Sequence, residues 1–202
     1  IIVPTLNSFK LLPKLVRSLE EQTFKDWRVI FVDGESEKSH KKWLQDFCLE
    51  NIKFSCISQR ESKGIFGAMN NGILESFEDE WVLFWGSDDW CPNPLTFELL
   101  VKNYYTNLKN NVKIDLIICK GRYFNVKNEK GRVSKFLPLS ENITINEKEF
   151  KKKLLAGFSP PHQGVLFSPN LLSKKNIYRD DFMIASDLEF FLRLSKKKKL
   201  RI

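Results

Sequence analysis

The chain has 202 residues, of which 42% are hydrophobic and 29% charged, with 17 Phe, so it can bury one sizeable core. No stretch of about 20 apolar residues is present to span a bilayer, and no signal-peptide pattern is visible. The net charge of +8 is unevenly spread: residues 1–100 carry 11 Lys+Arg against 16 Asp+Glu, and residues 101–202 carry 22 against 9. An acidic first half suits a metal and a neutral base or sugar. A basic second half suits an anion such as a diphosphate, a membrane surface or nucleic acid.

Cys48, Cys56, Cys91 and Cys119 have no metal-ligand spacing and read as small core residues of a reducing compartment. The expected location is therefore cytoplasmic. The sequence starts at Ile1, already within an apolar strand-like run, and stops as abruptly at Ile202, which reads as a trimmed segment.

In chain order, Ile1-Ile2-Val3 reads as a buried strand running into Pro4-Thr5-Leu6-Asn7. Leu11, Leu12, Leu15, Val16 and Leu19 then recur at helical spacing. Trp27 to Val32 is a second strand ending at Asp33-Gly34, and residues 37–49 form a helix with Trp43, Leu44 and Phe47 inward. Phe54 to Ile57 is a third strand. After a turn at 61–64, Ile65 to Leu74 is a helix. Trp81 to Trp85 is a fourth strand, apolar at every position, as expected of a strand covered on both faces. Leu95 to Leu108 is a helix. Ile114 to Phe124 and Arg132 to Leu137 read as two strands with a turn at 128–131. Glu147 to Ala156 is a basic helix, Gly164 to Phe167 a strand and Asp187 to Leu194 a helix.

This alternation predicts an α/β fold with a mostly parallel sheet flanked by helices. Residues 1–202 are expected to form a single domain, with a nucleotide-binding half over 1–90 and an acceptor-side half, including a small hairpin, over 91–202. In such sheets ligands bind beyond the carboxyl ends of the strands. Thr5-Leu6-Asn7, Asp33-Gly34 and Ser87-Asp88-Asp89 would converge on that edge. The adjacent carboxylates of Asp88 and Asp89 repel each other, and a hard divalent cation shared with a diphosphate would relieve them.

The segments VPTLN at 3–7, FVDGES at 31–36, KGIFGAMNNGI at 63–73, WGSDDW at 85–90, PPHQGVLFS at 160–168 and ASDLEFFLRL at 185–194 together resemble the inverting family 2 glycosyltransferases of the GT-A fold, over nearly the whole chain. The resemblance implies that Pro4, Thr5 and Asn7 contact the nucleotide, that Asp33 pairs with its base (typically uracil), and that Asp88 holds the ribose. It implies that Asp89 binds Mn²⁺ or Mg²⁺, that Asp187 is the general base, and that Asn70 lies in a helix lining the nucleotide pocket. Ser62 and Gly67 depart from the acids frequent at those positions, which weakens base and ribose contacts from that loop.

The implied activity is transfer of a sugar from a nucleotide sugar, typically UDP-linked, to a hydroxyl of a cell-surface glycan or lipid-linked acceptor. The departing diphosphate is stabilised by metal, and a carboxylate takes the acceptor proton.

Other roles compete at several positions. Asp187 opens a helix and would serve equally as a cap. His162, in Pro160-Pro161-His162-Gln163, is either a structural residue or a second metal ligand. Glu189 and Arg193 form an i,i+4 pair, and Asp180-Asp181 is a solvated loop. Lys151–Lys153 and Lys196–Lys199 either solvate helix ends or attract anionic lipid at the inner membrane face. A nucleotidyltransferase on a similar sheet would open with a Gly-rich phosphate loop, which residues 4–10 lack. A basic nucleic-acid module would use Tyr104, Tyr105, Tyr123 and Phe124 for stacking, but no nucleic-acid motif accompanies them.

Overall fold

The computed structural model describes residues 1–60, 64–124, 130–134, 136, 143–172, 177–179, 181–182, 184–197 and 199–202. Strands β1 (Ile2–Thr5), β2 (Val29–Asp33) and β3 (Phe54–Ser58) pair in parallel in that order, with Ile2 opposite Ile30 and Val29 opposite Phe54. Helices α1 (Leu12–Glu20) and α2 (Lys38–Glu50) make the crossovers, and α3 (Gly64–Leu74) follows β3.

The Trp81–Trp85 run forms bridges rather than a full strand. Ile2 N donates to Leu83 O at 2.8 Å and Trp85 N to Ile2 O at 3.0 Å. The next ladder bond would need an N–H at Pro4, which has none. On the other side of the run, Val82 and Phe167 exchange backbone bonds of 3.0 and 2.9 Å. The run thus joins the parallel sheet to an antiparallel pair, β4 (Leu116–Ile118) with β7 (Val165–Phe167).

The strand expected over 114–124 is split. Beyond Ile118 the chain leaves β4 and forms β5 (Arg122–Phe124), which pairs antiparallel with β6 (Lys130–Val133) as a separate hairpin. The β4–β7 ladder has three residue pairs; Cys119 N still donates to Gly164 O at 2.7 Å, but Gly164 N turns inward to Pro161 O at 2.9 Å within the 3-10 turn His162–Gly164. Helices α4 (Thr96–Lys109), α5 (Glu147–Leu155) and α6 (Ser186–Leu194) complete the chain. Asn146 starts α5 with a capping box, its side chain accepting from Lys148 N and Glu149 N. Among the described residues no helix is long and apolar enough to cross a membrane.

Strand residues alternate between two cores, as the twofold strand period requires. Val3, Val29, Phe31, Leu83 and Trp85 pack with Leu12, Leu15 and Leu19 of α1, Leu44 of α2 and Phe97 of α4. Ile2, Ile30, Val32, Val82 and Phe84 pack with Ala68, Met69 and Ile73 of α3, Phe150 of α5 and Phe190 and Phe191 of α6. The second core therefore runs through both halves of the chain. α3 approaches β1 closely: a Cβ on Gly72 would lie 2.3 Å from Ile2 Cγ2. In α2, Leu44 is buried as expected, whereas Trp43 and Phe47 are half-buried and stack at 5.1 Å.

Candidate functional site

The carboxyl ends of β1, β2 and the Trp81–Trp85 run lie together and are tied to one another. Gly34 N donates to Thr5 O at 2.8 Å, and Asn7 N to Ser36 Oγ at 2.8 Å. Asn7 sits at φ 51, a left-handed conformation that Asn tolerates, and its Oδ1 accepts from Glu37 N at 2.8 Å. Ser87 Oγ donates to Pro4 O at 3.0 Å and lies 2.9 Å from Ser8 Oγ. Pro4, Thr5, Asn7, Asp33, Asp88 and Asp89 are thus brought to one edge of the sheet. Thr5 itself is buried, whereas Asn7 and Asp88 are exposed.

Asp33 is 4% exposed. Its Oδ2 accepts from Ser36 N at 3.2 Å, and its Oδ1 lies 3.5 Å from Nε2 of His40, on α2. His40 is fully buried, and its pKa is lowered by that burial against the opposing pull of Asp33.

Asp89 is half-buried, and its Oδ2 accepts from Gly86 N at 2.6 Å. Burial, then the charge of Asp88, raises its pKa to about 6, against the lowering effect of the Gly86 bond. A cation would relieve both causes of that rise. Among the described residues no three His, Cys, Asp or Glu side chains gather into a metal cage. Asp88 and Asp89 offer oxygen donors of the kind a hard cation takes, but too few to hold one without ligands from outside the protein.

His162 occupies a different setting from a metal ligand. Its ring lies among Phe84, Phe167, Tyr178 and Phe191, with centroids 5.3 to 6.0 Å away. Its Nε2 pairs with Tyr178 Oη at 2.7 Å. Burial, against the nearby Asp187 charge, lowers its pKa to about 4, so the ring is neutral.

Asp187 lies in the first turn of α6, half-buried, with Oδ1 accepting from Leu188 N at 2.9 Å. Its surroundings are held from three sides. Asn70 of α3 donates to Tyr178 O at 2.7 Å and accepts from Ile177 N and Tyr178 N at 3.1 and 3.0 Å. Ser186 Oγ donates to Arg179 O at 2.9 Å. Arg193 pairs with Glu189, as the spacing predicted, and also donates to Ile177 O. Burial first, then the Asp187 charge, raises the pKa of Tyr178 well above its usual value.

The candidate residues therefore fall into two groups: the nucleotide-edge set, and Asp187 with His162 and Asn70. The Trp81–Trp85 run connects them. Phe84 packs on His162, and Trp85 Nε1 donates to Gln163 O at 3.1 Å. Asn70 is 4% exposed and its amide is engaged with backbone, so it bears on the 177–178 segment. No sequence motif singles out His40 or Tyr178. His40 shares one stripe of α2 with Leu44 and Phe47, so its inward placement is legible in the helical spacing. Of the two lysine runs, Lys151 and Lys152 are exposed and Lys197 lies 3.9 Å from Asp115, while Lys198 falls outside the described residues. Asp181 pairs with Arg179 at 3.0 Å. Asp180 and Ser62 also fall outside the described residues.

Residues 1–170 match the model of the family described as glycosyl transferase family 2. The chain is 28% identical over 209 aligned positions to the GalNAc(5)-diNAcBac-PP-undecaprenol β-1,3-glucosyltransferase of Campylobacter jejuni, covering 100% of this chain and 61% of that protein. It superposes on the crystal structure of S. aureus TarS 1–349 in complex with UDP with a TM-score of 0.70 at 22% identity, covering 98% of this chain and 58% of that one. It also superposes on the mannosyltransferase PcManGT of Pyrobaculum calidifontis, solved with GDP-Man and Mn²⁺, with a TM-score of 0.62 at 14% identity, covering 98% and 53%. These structures share the GT-A fold with this chain. The chain thus spans between 53% and 61% of these proteins, and the family match covers most of its own length: it belongs to glycosyl transferase family 2.

Proposed function

We propose that this chain carries the catalytic domain of an inverting, metal-dependent glycosyltransferase that moves a sugar from a UDP-sugar to a hydroxyl of a lipid-linked glycan. The observation that carries this reading is the convergence on one sheet edge of Asp33 and Asn7, linked through Ser36, with Asp88 and Asp89, the latter bonded to Gly86 N; Asp187, in the first turn of α6 beside His162, forms the second group. The C. jejuni relative supports the lipid-linked acceptor by its name, and TarS with UDP and PcManGT with Mn²⁺ support the donor and the metal.

In this reading Asp33 accepts a hydrogen bond from the base, the Pro4–Asn7 loop lines the nucleotide, and Asp88 holds the ribose. Asp89, with the diphosphate, would hold Mn²⁺ or Mg²⁺, which supplies charge neutralisation for the departing nucleoside diphosphate. Asp187 takes the proton of the acceptor hydroxyl as it attacks the anomeric carbon from the face opposite the leaving group, so a single displacement inverts the centre. Neutral His162 and Tyr178 wall the Asp187 side with groups that do not compete for that proton. Asn70 acts through the 177–178 backbone. A cytoplasmic location at the inner membrane face, with Lys151–Lys153 meeting anionic lipid, belongs to the same proposal. It falls if vesicles containing anionic lipid fail to retain the protein at low salt.

The primary test is calorimetry with UDP, with and without Mn²⁺, alongside turnover assays. Metal-dependent UDP binding that is lost in Asp89→Asn is expected. Asp187→Asn should retain donor binding while losing at least about a hundredfold in turnover. No response to any nucleotide, with or without metal, would sink the assignment.

A further inference from the structure

Asp33 and His40 form a buried pair that the proposed mechanism leaves incomplete. Their side chains are 6% and 0% exposed, and Asp33 Oδ1 lies 3.5 Å from His40 Nε2. Asp33 Oδ1 and both ring nitrogens of His40 are buried without a hydrogen-bond partner among the described residues. An apolar residue would serve better if packing were the only demand at position 40, since Leu44, one turn along the same stripe, is buried in the core.

Three features point this histidine at the carboxylate. It lies in the first turn of α2, where the helix field disfavours a cation and so keeps the ring a neutral N–H donor. The same helix end favours the Asp33 charge, and Ser36 N already holds the other oxygen, Oδ2, at 3.2 Å. The ring of Phe9, from the segment between β1 and α1, packs against His40 at 6.2 Å. The imidazole is thereby held between the segment that carries Asn7 and the end of β2 that carries Asp33.

We propose that His40 is a positioning residue for nucleobase recognition: its Nε2–H, 3.5 Å from Oδ1 of Asp33, holds that oxygen, leaving Oδ2, on which Ser36 N donates, to accept the imide N–H of a uracil as well. This inference rests on the nucleotide reading of Asp33. Uracil presents an N–H at its pairing edge, whereas cytosine presents a bare nitrogen there. A fixed carboxylate therefore favours the first and repels the second, and a carboxylate free to rotate discriminates less.

The test is calorimetry of UDP and CDP, each with Mn²⁺, on the wild-type protein, His40→Leu, His40→Gln, Asp33→Asn and the Asp33→Asn/His40→Leu double variant. His40→Leu should weaken UDP roughly tenfold and CDP far less, so that the UDP/CDP ratio falls. His40→Gln, which keeps an N–H donor, should restore most of that ratio. In steady state the loss in His40→Leu should appear in the donor KM and not in kcat. On the Asp33→Asn background, His40→Leu should have no further effect. An unchanged UDP/CDP ratio in His40→Leu overturns the proposal. Equal losses of UDP and CDP in both His40 variants do so as well, because they mark a general packing defect. If Asp33→Asn leaves UDP binding intact, the nucleotide reading itself fails, an outcome distinct from failure of His40 alone.

Discussion

Asn70 grips the backbone of Tyr178 at both its N–H and its carbonyl, with bonds of 3.0 and 2.7 Å, and takes the N–H of Ile177 as well. One amide side chain on α3 thus does for residues 177–178 what a neighbouring strand would do. Asn70→Ala should leave three buried backbone groups without partners and lower unfolding stability by about 2–4 kcal/mol. Chemical denaturation measures this. UDP binding at the β1–β2 strand ends should change far less than turnover, because the displaced segment lies beside Asp187.

Asp89→Asn should stabilise the ligand-free protein at pH 7 by about 1–3 kcal/mol, because it removes an ionised group held half-buried beside Asp88. It should also abolish metal-dependent nucleotide binding. Loss of binding together with loss of stability would show that Asp89 serves the fold instead.

Asp89 and His162 act on acid stability with opposite signs. The raised pKa of Asp89, from 3.8 to about 6, gives a contribution fully present below 3.8 and lost as pH rises through 6. The lowered pKa of His162, from 6.5 to about 4, gives a contribution present above 6.5 and lost as pH falls toward 4. Between pH 6 and 4 the two oppose each other. Asp89→Asn should therefore make stability fall more steeply with acid, and His162→Gln should make it fall less steeply. Tm measured across that window reads both slopes.

Two glycines separate site from scaffold. A Cβ at Gly86 would lie 2.8 Å from Asp88 Oδ1 and 3.1 Å from Asp89 Oδ2, so Gly86→Ala should displace both carboxylates. Metal-dependent UDP affinity should drop at least about tenfold, with Tm nearly unchanged. A Cβ at Gly72 would meet the buried Ile2 at 2.3 Å, so Gly72→Ala should cost about 1–3 kcal/mol of stability.

Tyr178→Phe should lower stability by about 1–2 kcal/mol, since it removes the hydroxyl paired with His162 Nε2 and leaves a buried ring nitrogen without a partner. UDP affinity should be unchanged. A variant as stable as wild type would show that the His162–Tyr178 bond contributes nothing net.

Local pattern was enough for much of this molecule. Leu12, Leu15 and Leu19 sit at helical spacing and form α1, and the strand-like runs at 1–3, 27–32 and 54–57 became β1 to β3 within a few residues. Short-range periodicity encodes which face of an element is buried, so the helices and the parallel sheet were legible. The carboxylates at the strand ends were legible for the same reason, because chain direction in a parallel sheet sends every such end to one edge. Tertiary structure decided what depends on partners distant in sequence. Pro4 stops the Trp81–Trp85 run from forming a full strand only because that run lies beside β1, and the β4–β7 ladder ends where Gly164 N turns to Pro161 O in the 3-10 turn before β7. Asn70 meets residues more than 100 positions away, and His162 meets Tyr178 inside an aromatic box that no spacing announces. A polar residue's role follows from which groups desolvate and bond it, and only the folded chain brings those groups together.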